Sequence, residues 1–138
     1  MGYGSIIFCL LFGMSHMSTG SPAMSDRFSS CPDSPNCVSS LSKDKAHFVE
    51  PLRYKGSRAE ARQKLLDIVK SMQRTRLIKI EKDHIQVEFR SLIFRFVDDV
   101  EFYLPADESI IHVRSASRSG YYDFGANRRR VERLRAAF

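Results

Sequence analysis

The chain has 138 residues, 43% of them hydrophobic and 28% charged, with a formal net charge of +6. That is room for one compact domain with a single core, and the hydrophobic share is ordinary for a globular one. The charge is uneven: residues 114–138 hold seven Arg against Asp123 and Glu132, a sum of +5, and everything before them sums to +1. A basic segment of this kind suits an anionic partner, or pairs internally with the acids of DDVE (98–101). No aromatic and basic nucleic-acid module is present, so nucleic acid is not an expected partner.

At the N-terminus, Ser5 to Met14 (SIIFCLLFGM) is an apolar run of signal-peptide length, too short to span a bilayer. Small residues at Ser21 and Ala23 offer a cleavage point before Met24, so residues 1–23 are expected to be a signal peptide and the mature chain extracytoplasmic, without a transmembrane helix. The segment MGYG ahead of the run has no Lys or Arg, and translation from Met24 would instead leave the domain cytosolic. Cys9 would leave with the signal. The remaining pair, Cys31 and Cys37, flanks the turn-forming loop PDSPN and suits a disulfide in an exported domain. A metal needs more ligands than two Cys, and His47 and His84 show no ligand spacing, so no metal or cofactor is expected. Residues 24–56, rich in Ser, Pro and Asp and without a sustained period, read as an extended lead-in to a domain over 57–138.

The domain opens on a capping box, Ser57-Arg58-Ala59-Glu60, followed by Ala61, Leu65, Ile68, Val69 and Met72 at helical spacing. This predicts a helix from 58 to about 73. Leu77 to Glu81 is a short β-rich run, and Ile85, Val87 and Phe89 then alternate with Gln86, Glu88 and Arg90, marking a half-buried strand. In the next run, IFRFVDDVEFYL, the even positions Phe94, Phe96, Asp98, Val100, Phe102 and Leu104 share one face. Asp98 is therefore expected among core residues unless a bulge at Asp98-Asp99 shifts the register. A carboxylate buried there needs a cation or several donors. On the fourth strand Ile111, Val113 and Ser115 face inward, and Ile110, His112 and Arg114 face the other way, with His112 read as solvated. A last helix begins near Asp123 as N-cap and buries Val131, Leu134 and Phe138, with Asn127 on the same stripe. The order gives an α+β fold: a four-stranded antiparallel sheet flanked by an N-terminal and a C-terminal helix on one face, behind the disulfide-strapped lead-in.

Three blocks, CPDSPNCVSS, FRFVDDVEFYLP and IHVRSASRSGYYDFGANRRRVERLR, together resemble the domain-of-unknown-function family 1499, over Cys31 to about Arg135. That family occurs in bacterial and photosynthetic-eukaryote proteins, often behind a signal, transit or membrane segment. The resemblance implies the fold and an extracytoplasmic setting and carries no activity. Its signature positions fall on Cys31, Cys37, Asp98, Asp99, Arg114, Ser115, Ser117, Arg118, Gly120, Asp123, Gly125, Asn127 and Arg128.

Two readings of the candidate site follow. In one, Asp98, Asp99, Arg114, Ser115, Ser117, Arg118, Asp123, Asn127, Arg128 and Arg130 form an anion pocket. Arginines and free amides would gather at a helix start, where the macrodipole favours an anion. In the other, Asp98 and Asp99 accept from Arg114, Arg118 or Arg128 and clamp the last helix to the sheet. Catalysis has less support: adjacent strand residues diverge to opposite faces, so the two aspartates cannot act as a pair, and Ser115 and Ser117 lie in no nucleophile motif. The expected function is an exported binding or accessory module whose arginine-rich face takes an anionic small molecule, an anionic lipid surface or a partner subunit. The alternatives are a hydrolase-like enzyme built on Asp98 and Asp99, or a purely structural clamp.

Overall fold

The computed structural model describes Met1 and residues 28–138. The expected signal peptide and the lead-in as far as Arg27 lie outside the described residues. The capping box forms: Ser57 Oγ accepts from Glu60 N, and Glu60 Oε2 accepts from Ser57 N at 2.9 Å. It starts helix α1, Arg58–Ser71, which buries Ala61, Leu65, Leu66 and Val69.

Four strands follow as an antiparallel meander: β3 (Thr75–Ile80), β4 (His84–Arg90), β5 (Val97–Tyr103) and β6 (Ile110–Ser117). The sheet has six strands, not the four expected, because the lead-in contributes β1 (Cys37–Ser39) and β2 (Leu52–Arg53). Both lie antiparallel along β6, β1 against Arg114–Ala116 and β2 against Ile110–Ile111. They cover the strand edge that the meander leaves open. At three and two residues, neither is long enough to show a period in sequence.

Register aligns three core rows: Ile85–Phe102–Val113, Val87–Val100–Ser115 and Phe89–Asp98–Ser117. No bulge interrupts β5 at Asp98-Asp99; the one irregularity lies in β3, between Leu77 and Lys79. α1 and the last helix, α2 (Ala126–Ala137), cover these rows through Leu65, Val69, Val131 and Leu134, in one cluster with the strand residues. Phe94 and Phe96 depart from the expected alternation. β5 begins at Val97, and the two rings stand outward on the β4–β5 connection, 74% and 55% exposed. Among the described residues no helix is long and apolar enough to cross a membrane.

His112 is buried rather than solvated. It lies on the outer sheet face as expected, but Ser40, just past the end of β1, bonds to it, and only 6% of it is exposed. Its Nδ1 lies 3.1 Å from Ser40 Oγ, which also accepts from Val113 N, and its ring stacks near Tyr103. Burial pushes its pKa down, against the opposing charge of Glu108. The fold therefore favours neutral His112, and that contribution is complete above the unfolded value of about 6.5. It is lost as pH falls from there through the lowered folded value. Urea unfolding between pH 7 and 5 should show stability declining by at most about 1.4 kcal/mol per pH unit from this group. The decline should flatten in His112→Gln.

Candidate functional site

Asp98 stands on the core face of β5, 5% exposed. A carboxylate there requires a cation, and Arg130 of α2 supplies it, Nη2 to Oδ2 at 2.5 Å, with the guanidinium 7% exposed. Arg130 reaches it because α2 buries Asn127, Arg130, Val131 and Leu134, a stripe at spacings of three and four. The same guanidinium donates from Nη1 to Asn127 Oδ1 at 2.8 Å and Ser115 Oγ at 3.1 Å, and lies over the Phe89 ring, 4.9 Å from its centroid. Burial pushes the Arg130 pKa down and Asp98 opposes that shift.

Asn127 extends the network. Its Oδ1 accepts from Ser115 Oγ at 2.6 Å, and Nδ2 faces Asp123 Oδ2 (2.8 Å), Ser117 Oγ (2.9 Å) and the Asn36 carbonyl (3.0 Å). Asn36 Nδ2 returns to the carbonyl of Gly120. The cap position of α2 is Gly125, at φ 76°, rather than the expected Asp123. The Asp123 carboxylate nonetheless takes the amides of Gly125 and Asn127, at 2.8 and 2.9 Å. Burial works to raise the Asp123 pKa, and the Asn127 and Gly125 donors outweigh it, holding the carboxyl below its usual range. The helix start expected to receive an anion thus already holds this protein's own carboxylate.

On the opposite face of the sheet Arg118 grips Asp99 (Nη2 to Oδ1, 2.5 Å) and Glu88 (2.7 Å). The two carboxylates hold its pKa above the ordinary arginine value, and Arg118 in turn holds Glu88 low, against burial. Arg114 lies 3.5 Å from Glu101. The clamp therefore exists with corrected pairings. Asp98 takes Arg130 and not Arg114, Arg118 or Arg128, and Asp99 takes Arg118.

The ten candidate residues form no single pocket. Asp98, Ser115, Ser117, Asp123, Asn127 and Arg130 make the network under α2; Asp99, Arg114 and Arg118 lie on the outer face. Arg128 stands apart, donating to the carbonyls of Phe48 and Ala46, both at 2.9 Å. Arg129 donates to the Phe124 carbonyl at 2.6 Å and Arg135 to those of Pro51 and Glu50. Carbonyls satisfy donors without cancelling charge, so Arg128, Arg129 and the exposed Arg133 leave the outward face of α2 positive. Beside it an open groove of about 470 Å³ is lined by Pro35, Val38, Ala46, Tyr122, Phe124 and Arg128, with Asp123 and Gly125.

A second group was not anticipated from sequence: Arg74, Arg76, Arg90 and Arg95 line a cavity of about 180 Å³ with Thr75 and Glu88. They are scattered over three segments, and the pairing of β3 with β4, with the return of the β4–β5 connection, brings them together. Cys31 and Cys37 have their sulfurs 2.03 Å apart, at disulfide distance.

A family model described as protein of unknown function (DUF1499) matches residues 27–138. No curated protein matches the chain.

The Asp98–Arg130 pair predicts a specific pattern. Asp98→Asn leaves a buried guanidinium uncompensated and should cost about 3–5 kcal/mol in urea unfolding. Asp98→Asn combined with Arg130→Met should be less destabilised than the sum of the two single variants.

Proposed function

The chain belongs to the DUF1499 family, and from that premise we propose that it is a small exported, non-catalytic binding or accessory module. Its binding face is the outward side of α2, where it takes an anionic group or an acidic partner. The observation that carries this reading is the charge of Arg128, Arg129 and Arg133 beside the groove at Tyr122 and Phe124, with Glu132, the one acid of α2, paired with Arg135. Two guanidiniums fixed by main-chain carbonyls are already ordered, so less side-chain entropy is lost when an anion binds. The disulfide-bonded pair Cys31–Cys37 supports an oxidising compartment.

The hydrolase-like alternative needs Asp98 and Asp99 at one reacting centre. They point to opposite faces of β5, and each carboxylate is already engaged by an arginine. A catalytic Asp98 would lose turnover as Asn without losing stability, the reverse of the outcome expected above.

Thermal unfolding with pyrophosphate, acidic metabolites and acidic peptides should find a ligand that raises the midpoint by about 5 °C at ten times its Kd. Arg133→Glu, at an exposed position, should abolish the rise while leaving the unliganded midpoint unchanged, and Arg128→Ala should weaken it. No shift with any anion would overturn the reading. Intact mass of the protein from its native host should show cleavage before Met24 and a loss of two hydrogens for the disulfide.

A further inference from the structure

Three connections leave the sheet at one end: residues 72–74 between α1 and β3, 91–96 between β4 and β5, and 118–125 between β6 and α2. The ladder fixes this. Phe89, Asp98 and Ser117 lie side by side, Arg118 N donates to the Val97 carbonyl, and Arg90 N donates to the Arg74 carbonyl. The β4–β5 connection is a closed loop: Ser91 N donates to the Phe96 carbonyl, and Phe96 N to Ser91 Oγ, both at 2.9 Å.

That loop presents Leu92, Ile93, Phe94 and Phe96 to solvent, from 55% to 79% exposed. The 118–125 connection presents Tyr121, Tyr122 and Phe124, at 62%, 67% and 85%. Isolated apolar residues are ordinary on a surface, but seven on two neighbouring loops mark a contact. Charge is segregated along the same axis. The apolar end has the Arg74, Arg76, Arg90 and Arg95 cavity, with Glu88 as its one acid. Residues 72–76 and 91–96 contain no acid, and 118–125 contains only Asp123, whose carboxylate is taken by the amides of Gly125 and Asn127. The turns at the other end, 81–83 and 104–109, carry Glu81, Asp83, Asp107 and Glu108 against one basic residue, Lys82.

We propose that this end of the domain docks on an anionic lipid bilayer. The two apolar loops enter the boundary between headgroups and acyl chains, and the arginine cavity takes lipid phosphate. Aromatic and aliphatic tips flanked by arginine are the composition that such an interface stabilises. The Ser91–Phe96 hydrogen bonds lower the cost of taking that backbone out of water. Guanidiniums in a group match phosphate oxygens in geometry as well as charge. The apolar side chains stand on two loops at one end of the sheet beside a group of arginines, and that pairing of apolar tips with cationic flanks complements an anionic bilayer. This inference rests on the reading of the chain as a binding module and shares Tyr122 and Phe124 with its groove, but it does not use the arginines of α2, so Arg133→Glu should leave it intact.

The chain contains no Trp, so one introduced Trp reports a single position. In full-length Phe94→Trp, anionic phosphatidylglycerol vesicles should shift emission to shorter wavelength, and brominated acyl chains should quench it. Ile80→Trp, on exposed β3 near the acidic end, should respond to neither. Neutral phosphatidylcholine vesicles, or added Arg76→Glu and Arg95→Glu, should weaken the Phe94→Trp response about tenfold or more. High salt should weaken it too. The proposal fails if emission at position 94 does not change although the protein sediments with the vesicles, since another segment then holds the membrane. It also fails if emission is already blue-shifted without lipid, which would mean a second copy or another part of this chain covers the loop. An equal response to neutral vesicles overturns the anionic commitment.

Discussion

A carboxylate on the core face of a central strand is costly unless a cation reaches it, and in this fold the arrangement around Asp98 follows from meeting that requirement. Arg130 must lie on the inward stripe of α2, which sets the rotation of the helix. Asn127, one turn earlier, then falls beside Ser115 and Ser117, and its amide reaches the Asn36 carbonyl. Cys37 follows Asn36 and opens β1, so the requirement of one aspartate extends to the segment that closes the edge of the sheet. An ion pair of this kind adds little net stability over an apolar pair of the same volume. A helix shifted by one residue would leave two buried charges unpaired, a cost set against other registers of α2.

The consecutive aspartates act on both sides of β5. Alternation sends Asp98 under α2 and Asp99 to the outer face, where Arg118 joins it to Glu88 of β4. One strand is thus held by an arginine on each face, one from the helix and one from the chain just beyond β6. Much of the arginine density of residues 114–135 is consumed internally, by carboxylates or by carbonyls of the lead-in. The charge left for a partner is that of guanidiniums bonded to carbonyls or exposed on α2.

The parts of this arrangement that depend on local pattern were legible in the sequence. The capping box of α1, the alternation of β4, the place of Asp98 on the apolar face and the place of Asn127 on the α2 stripe all follow from spacing alone. The partner of Asp98 was in reach too, because Arg130 lies three residues after Asn127 and so on the same stripe. What was not legible depends on tertiary context. β1 and β2 exist because β6 offers an edge, and His112 is buried where the chain beyond β1 brings Ser40 onto it. Phe94 and Phe96 continue the alternation of β5 by coincidence into a loop where no partner strand exists to make the period meaningful.

The buried network also governs how the loop end of the sheet meets its surroundings. Asn36 holds the Gly120 carbonyl, Asp123 holds the amides of Gly125 and Asn127, and Arg129 holds the Phe124 carbonyl. The backbone beneath Tyr121, Tyr122 and Phe124 is therefore tied from both sides, although the rings themselves stand in solvent. A loop fixed in this way loses little conformational entropy when it docks, and its bonded polar groups require less desolvation. Polar groups that resolve the burial of Asp98 thereby pre-organise the aromatic surface above them, and the interior clamp and the exposed face become parts of one arrangement.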